Sequence, residues 1–331
     1  MKKLTILTLL TILVGVFILI SGIAYFGYNS ITSGAVGIDQ IKEINGVKYH
    51  FAADRISMLR EDNNSKTTYG ILADTHGQID KISSLMAGFK QIKVDGILVA
   101  GDLVNNEHFS KRGILWKDQD EMAAVLEVLG KSGLPVFIIT GNHDRLADYD
   151  SAWSKLSLSY PNLIDMNQYR VFDGDDIEII SLPGYTDQKF TAPGAFYIDQ
   201  EYVSETGKYA TGLEDPIVLL AHGPAYTTGS LSNGPGTIYG GSDIGDRATA
   251  EMMKHAGLSY GIMGHVHEAG GLAATLSGVK VEPNTWAEEF VVNVGGLEAW
   301  TLLDGTKHNG MAGILTIDGE LAKYNPIYYQ E

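Results

Sequence analysis

A chain of 331 residues with 44% hydrophobic content is long enough to bury a full core, as one large domain or two ordinary ones. Its 24 Lys and Arg stand against 40 Asp and Glu, a formal net charge of -16, and no basic run offers a footprint for a nucleic-acid backbone, so bulk nucleic acid is not an expected partner. With no cysteine, disulfides, thiolate metal sites and cysteine nucleophiles are excluded, and any metal must be held by His, Asp, Glu or Asn.

Lys2 and Lys3 precede an uncharged stretch, Leu4 to Tyr28, which exceeds a signal-peptide core and is long enough to cross a bilayer. Residues 1–28 are therefore expected to form a single transmembrane anchor. The small residues Ser21 to Ala24 leave a cleaved signal, and so a secreted protein, as the alternative. Two lysines before the span and no charge after it until Asp39 put the N-terminus in the cytoplasm and the bulk of the chain on the extracytoplasmic side of the cell membrane. Residues 29–68 read as a tether and lead-in: Ser30 to Ile44 is small and polar, and Val47 to Phe51 is a short strand. His50, between Tyr49 and Phe51, reads as a half-buried strand residue.

From Tyr69 one pattern repeats. Gly70 to Ala73 is an apolar strand ending in Asp74, Thr75 and His76, followed by a helix over Ile79 to Lys90. Gly96 to Ala100 is a second strand, ending in Gly101 and Asp102, and Glu121 to Leu129 is helical. Phe137 to Ile139 is a third strand, turning on Gly141 to present Asn142, His143 and Asp144 together. Strands separated by helices predict an α/β sheet, whose ligand sits at the carboxyl ends of the strands. The apolar run Ile177 to Leu182 follows, then Ile217 to Ala221 ending in His222, a helix over Asp246 to His255, and Tyr260 to Met263 ending in Gly264, His265, Val266 and His267. The intervening stretches Ala147 to Asp176, Tyr185 to Asp215 and Gly229 to Gly245 are the expected substrate-facing or lid elements.

Five strand tips thus carry Asp74 and His76, Asp102, Asn142 and His143, His222, and His265 with His267. Asp-x-His and His-x-His at strand ends place alternate residues on one side, so each pair can converge on a point. Nitrogen and carboxylate ligands without sulfur suit divalent manganese, iron or zinc, and shared carboxylates let two ions sit ~4 Å apart.

In this order, Asp74-Thr-His76, Gly101-Asp102, Gly141-Asn-His143-Asp144, His222 and Gly264-His-Val-His267 resemble the signature of the calcineurin-like metallophosphoesterases, over Tyr69 to about Asn293. The His222-Gly-Pro and Gly264 to Gly270 blocks are most similar to the small phosphodiesterase-like branch. The resemblance implies a metal-binding α/β/β/α sandwich, two facing sheets flanked by helices, as a domain over residues 69–331. It also implies hydrolysis of phosphate esters, above all phosphodiesters, by a dinuclear centre with a bridging hydroxide nucleophile. Asp74, His76 and His267 would then hold one divalent ion, Asn142, His222 and His265 the other, and Asp102 would bridge them. His143 would contact the phosphate of a small ester substrate and protonate the leaving oxygen.

Two departures stand out. Position 105, where many members carry an Asp that orients the catalytic His, is Asn105, which leaves Asp144 as a second carboxylate near His143. The late Asn-Pro-Gly block appears as Asn293-Val-Gly-Gly, which predicts a looser backbone there. His50, His108, His255 and His308 are left over and read as surface or loop residues. A nuclease of the same superfamily is disfavoured by the acidity, and a non-catalytic scaffold would have no need of His143.

Overall fold

The computed structural model describes residues 39–60, 64–105, 118–227 and 234–329. In chain order these form β1 (Gln40–Ile44), β2 (Val47–Ala52), β3 (Arg55–Met58), β4 (Lys66–Leu72), α1 (Ile79–Ile92), β5 (Gly96–Ala100), α2 (Asp118–Lys131), β6 (Val136–Ile139), α3 (Leu146–Leu156), β7 (Leu163–Asp165), β8 (Val171–Asp173) and β9 (Glu178–Leu182). Then come α4 (Gln200–Thr206), β10 (Ile217–Ala221), α5 (Arg247–Ala256), β11 (Tyr260–Met263), β12 (Ala273–Ala274), β13 (Lys280–Val281), β14 (Phe290–Asn293), β15 (Trp300–Thr301), β16 (Lys307–His308), β17 (Met311–Asp318) and β18 (Leu321–Tyr328).

The strands at which the motifs end are continuous apolar runs because both their faces are covered. β5, β6, β10 and β11 are buried throughout. One sheet has six strands in the order β18-β17-β4-β5-β6-β7, and the other has ten in the order β1-β2-β3-β8-β9-β10-β11-β14-β12-β13. Alternate residues of the motif strands face different layers. Ile71, Leu98, Phe137 and Ile139 pack with Ile179, Val218, Leu220 and Ile262 in a core between the sheets. Leu72, Ile97, Val99 and Ile138 pack outward under α1, α2 and α3, while Ile180, Leu219, Ala221 and Met263 pack outward with residues of α4 and α5. This is the expected α/β/β/α layering. Side-chain caps set two helix starts: Asp199 accepts from Tyr202 N–H before α4, and Asp246 from Thr249 N–H before α5.

Several expectations change. The Leu4–Tyr28 span lies outside the described residues, and among the described residues no helix is long and apolar enough to cross a membrane. Residues 40–58, expected as tether and lead-in, are instead an antiparallel three-stranded edge of the large sheet, joined to it by β3 pairing parallel with β8. Their alternation buries Ile44, Tyr49, Phe51 and Ile56 in the inter-sheet core, a signal that a composition reading of small and polar residues overlooks. The stretch 147–176, expected to face substrate, forms most of α3 and two sheet strands, since Tyr149, Ala152, Leu163 and Phe172 are needed in the cores. The C-terminal hairpin β17–β18, absent from the sequence reading, closes the small sheet by pairing antiparallel with β4.

Ile56 is fully buried while Ile41, in the same segment, is 63% exposed. Ile56→Ala is expected to lower unfolding stability by about 2–5 kcal/mol, whereas Ile41→Ala should change it by less than about 0.5 kcal/mol. Urea denaturation decides: equal, negligible effects would return this segment to the status of a tether.

Candidate metal centre

All the motif residues gather where the carboxyl ends of β4, β5 and β6 meet those of β10 and β11. The expectation that Asp-x-His pairs converge by strand alternation is corrected here. β4 ends at Leu72, and Asp74 (φ 45°), His76 (φ 40°), Asp102 (φ 51°) and His265 (φ 70°) all adopt left-handed backbone. Such conformations cost ~1–3 kcal/mol each in non-glycine residues and persist only where neighbours impose them. Here Asp74 N–H donates to Gly101 O at 3.0 Å and His76 N–H to Asp102 O at 3.1 Å, lacing the two tips together. The motif glycines follow from the same crowding. A Cβ on Gly141 would lie 2.2 Å from Asp102 Oδ1, and one on Gly264 would lie 2.3 Å from Asp74 Oδ2.

Two donor sets result. In the first, His76 Nε2 and His267 Nε2 lie 3.3 Å apart, and Asp74 Oδ1 is 3.2 Å from the latter and 3.9 Å from the former. In the second, Asn142 Oδ1 lies 2.6 Å from His222 Nε2 and 2.9 Å from His265 Nδ1, with Asp102 Oδ2 3.3 Å from His222 Nε2. Asp74, Asp102, Asn142 and His222 are buried. Nitrogen and oxygen donors gathered this closely share protons in the metal-free protein and, with their lone pairs freed, fit a divalent cation in each set.

The supports around the ligands are equally defined. His222 Nδ1 lies 2.9 Å from Ala100 O, which fixes the proton there and leaves Nε2 to face the cluster. Asn142 Nδ2 donates to Phe190 O at 2.6 Å, turning Oδ1 inward. Asp74 Oδ2 accepts His265 N–H at 2.9 Å, and Asp102 Oδ1 accepts His143 N–H at 2.8 Å. The His76 and His267 Nδ1 atoms are buried without hydrogen-bond partners among the described residues.

Charge follows from this geometry. Burial opposes a proton on His222, but the Asp102 carboxylate, helped by Asp74, pushes it up to about 9. Burial likewise opposes one on His267, which Asp74 nevertheless raises. Burial holds His76 low, and burial with the neighbouring His222 holds His265 down at about 3. Among the carboxylates acting on His76, Asp102 is felt more strongly than Asp74, so Asp102 bears on both donor sets.

His143 is half-buried, its ring edge-on to His76 with centroids 5.5 Å apart. Asp144 does not extend toward substrate. Its buried carboxylate accepts N–H groups of Leu103, Val104 and Gly141 at 2.9, 3.2 and 2.9 Å, clamping the β5 and β6 tips together. Asn105 presents Nδ2 to Glu298 Oε1 at 3.4 Å, so the negative charge that position 105 lacks stands one contact further out. The expected slackness near Asn293 is not seen. That buried side chain donates to Pro235, Gly264 and Val266 carbonyls at 2.9–3.1 Å and accepts Gly295 N–H, pinning the turn before His267.

His108 lies outside the described residues. His308 is buried rather than a surface residue, and its Nδ1 accepts Gly310 N–H at 2.9 Å. The stretch from Tyr185 does reach the site: Tyr185 packs against the His265 ring with centroids 4.2 Å apart. Glu298 and Trp300, the latter edge-on to His267 with centroids 4.8 Å apart, carry no sequence signal beyond following Gly295 and Gly296.

Over residues 67–269, more than half its length, the chain matches the family of calcineurin-like phosphoesterases. It belongs to that family. It is thus a metallophosphoesterase, a hydrolase of phosphoric ester bonds. Among solved structures it is similar to the Thermus thermophilus protein TT1561, with a TM-score of 0.53 and 14% identity over 75% of this chain and 93% of that one. A dimetal phosphatase from Danio rerio gives a TM-score of 0.48 and 11% identity over 81% of this chain and all of the other. At 14% identity the likeness to TT1561 is one of fold. No curated protein matches the sequence.

Metal uptake by the metal-free metallophosphoesterase is expected to release protons near neutral pH, because His222 must lose its Nε2 proton to ligate. Below about pH 9 that proton competes with the metal, so apparent affinity should climb with pH by up to ~tenfold per unit per displaced proton and level off above. Calorimetric titration with manganese in two buffers of different ionisation enthalpy measures this, and uptake without proton release would remove His222 from the ligand set.

Proposed function

We propose that this chain hydrolyses small phosphodiesters at two divalent ions, of manganese, iron or zinc. Asp74, His76 and His267 would hold one, Asn142, His222 and His265 the other, and Asp102 would serve both. The observation that supports this reading best is the convergence of two complete nitrogen and oxygen donor sets beside one further histidine that is half-open to solvent. When bound, the ions supply charge neutralisation at the phosphoryl oxygens and a water acidified for attack on phosphorus.

The chain's own residues do the rest. Asp102 anchors the His143 backbone, so the imidazole is held beside His76 where an ester oxygen of a bound phosphate would lie. There it contacts the phosphate and delivers a proton to the departing alkoxide. Asp144 and Asn293 keep the tips from spreading, and the buried walls exclude water from all but the substrate face. A scaffold would need the clamps but not His143.

Phosphate release from bis-p-nitrophenyl phosphate with added manganese tests the activity directly. His143→Ala is expected to depress hydrolysis of alkyl phosphodiesters by about 10²–10⁴-fold, the span of general acid catalysis, and that of nitrophenyl esters far less, because nitrophenolate leaves without a proton. Equal losses on both ester classes would assign His143 to phosphate binding alone.

The site is proposed to work on the extracytoplasmic side, tethered by the Leu4–Tyr28 segment, on the strength of that segment's length and of Lys2 and Lys3 before it. Protease added to intact cells should then release an active soluble fragment. Full protection in intact cells, lost on lysis, would place the enzyme in the cytoplasm.

A further inference from the structure

Next to the His267 side of the centre the surface opens into a cavity of about 950 Å³. Its lining includes Tyr239, Trp300 and Tyr328, which are 58%, 38% and 43% exposed. Three large aromatic rings left open to water in one concavity are unusual unless something flat covers them. The wall is tied to the centre. Tyr239 N–H donates to Glu268 Oε1 at 3.2 Å, its hydroxyl donates to the Thr301 carbonyl, and Leu303 N–H donates to Glu268 O at 2.9 Å. Glu268 belongs to the 3-10 turn His267–Ala269, so the turn that carries His267 is hydrogen-bonded to the wall beside the hairpin β15–β16 that carries Trp300.

Lys307, His308 and Asn309 line the same cavity. With Nδ1 accepting Gly310 N–H, neutral His308 carries its proton on Nε2, which is buried in this wall without a hydrogen-bond partner among the described residues. An acyl chain would leave these polar groups without partners, whereas a planar ring with hydrogen-bonding edges answers both the rings and the polar groups. The volume lies in the range of ~300–1,000 Å³ typical of small-molecule sites.

We propose that this cavity is a specificity subsite for a flat heteroaromatic group on one ester arm of the substrate, which makes nucleoside phosphodiesters the preferred substrate class. The proposal rests on the phosphoesterase reading, because a phosphate bound at the ion that Asp74, His76 and His267 would hold would lie on the side of the centre where Trp300 meets His267. Aromatic stacking of a base, worth ~1–3 kcal/mol, then favours nucleoside esters over esters of the same phosphate lacking a ring.

Two measurements on the full chain in detergent test it. By calorimetry AMP is expected to bind at least tenfold tighter than ribose 5-phosphate, which differs only by the base, and Trp300→Ala should erase most of that difference. In turnover, thymidine 5′-(p-nitrophenyl phosphate) and methyl p-nitrophenyl phosphate share a leaving group, and kcat/KM should favour the nucleoside ester at least tenfold. Tyr328→Ala, on β18 rather than on the hairpin that meets His267, should bring that ratio down toward one even where Trp300→Ala fails to fold. Equal binding of AMP and ribose 5-phosphate, or a stronger preference for glycerophosphocholine than for the nucleoside ester, overturns the subsite. Nitrophenolate release from the methyl ester with no gain from the nucleoside also overturns it, while leaving the phosphoesterase reading intact. No release from either ester overturns that reading, and the comparison of AMP with ribose 5-phosphate then still decides the cavity.

Discussion

Two buried carboxylates, Asp74 and Asp102, hold the two sheets together at the ends where the site forms. Asp74 leaves the small sheet at β4 and accepts the His265 backbone N–H from beyond β11 of the large sheet; Asp102 leaves the small sheet at β5 and meets His222 from beyond β10. Each carboxylate is nearly inaccessible to water and would be costly there if unpaired. Satisfying them fixes the distance between the layers, and that distance sets the spacing of the imidazoles. Seam and centre are one set of contacts, so a change that loosens either carboxylate disturbs the packing of the sheets and the donor sets together.

The cost of this arrangement shows in the backbone. Four of the eight non-glycine residues with positive φ among the described residues are candidate ligands, each in a conformation that the free chain would avoid. What imposes it is the packing on either side: continuous apolar strands end abruptly, Gly141 and Gly264 let neighbouring carboxylates approach, and Asp144 gathers three backbone donors from two tips. Burial of β5, β6, β10 and β11 on both faces provides the stability against which this local strain is held.

This division explains how much was legible in the chain alone. Gly96–Ala100, Ile217–Ala221 and Tyr260–Met263 are read to the residue because a doubly buried strand is an unbroken apolar run bounded by Gly, Asp or His. The candidate metal ligands named from the chain gather into two groups, since few residue types can serve and they recur at strand tips. What escaped is whatever depends on partners far away in sequence. Residues 40–58 look like a link until Ile56 meets Phe172 across β3 and β8, and β17 is an edge until it pairs with β4. Left-handed φ at Asp74 and His76 has no signal of its own, since Asp-x-His reads as plain alternation. Glu298 and Trp300 come from a loop whose composition says nothing of where it lands.

The chain's net charge adds a last constraint. At -16 the protein repels anions at long range, and the metal-free site adds two carboxylates to the point where a phosphate must bind. The proton that Asp102 and Asp74 hold on His222 offsets part of that negative charge in the metal-free protein but leaves no excess positive charge for an ester. Affinity for a phosphate ester therefore depends on cations offsetting the carboxylates. A net negative chain also discriminates by size: a small ester presents one or two charges, whereas a polymer presents its whole backbone to the repulsion. The net charge thus favours small substrates over polymers before any side chain reads the group that the phosphate carries.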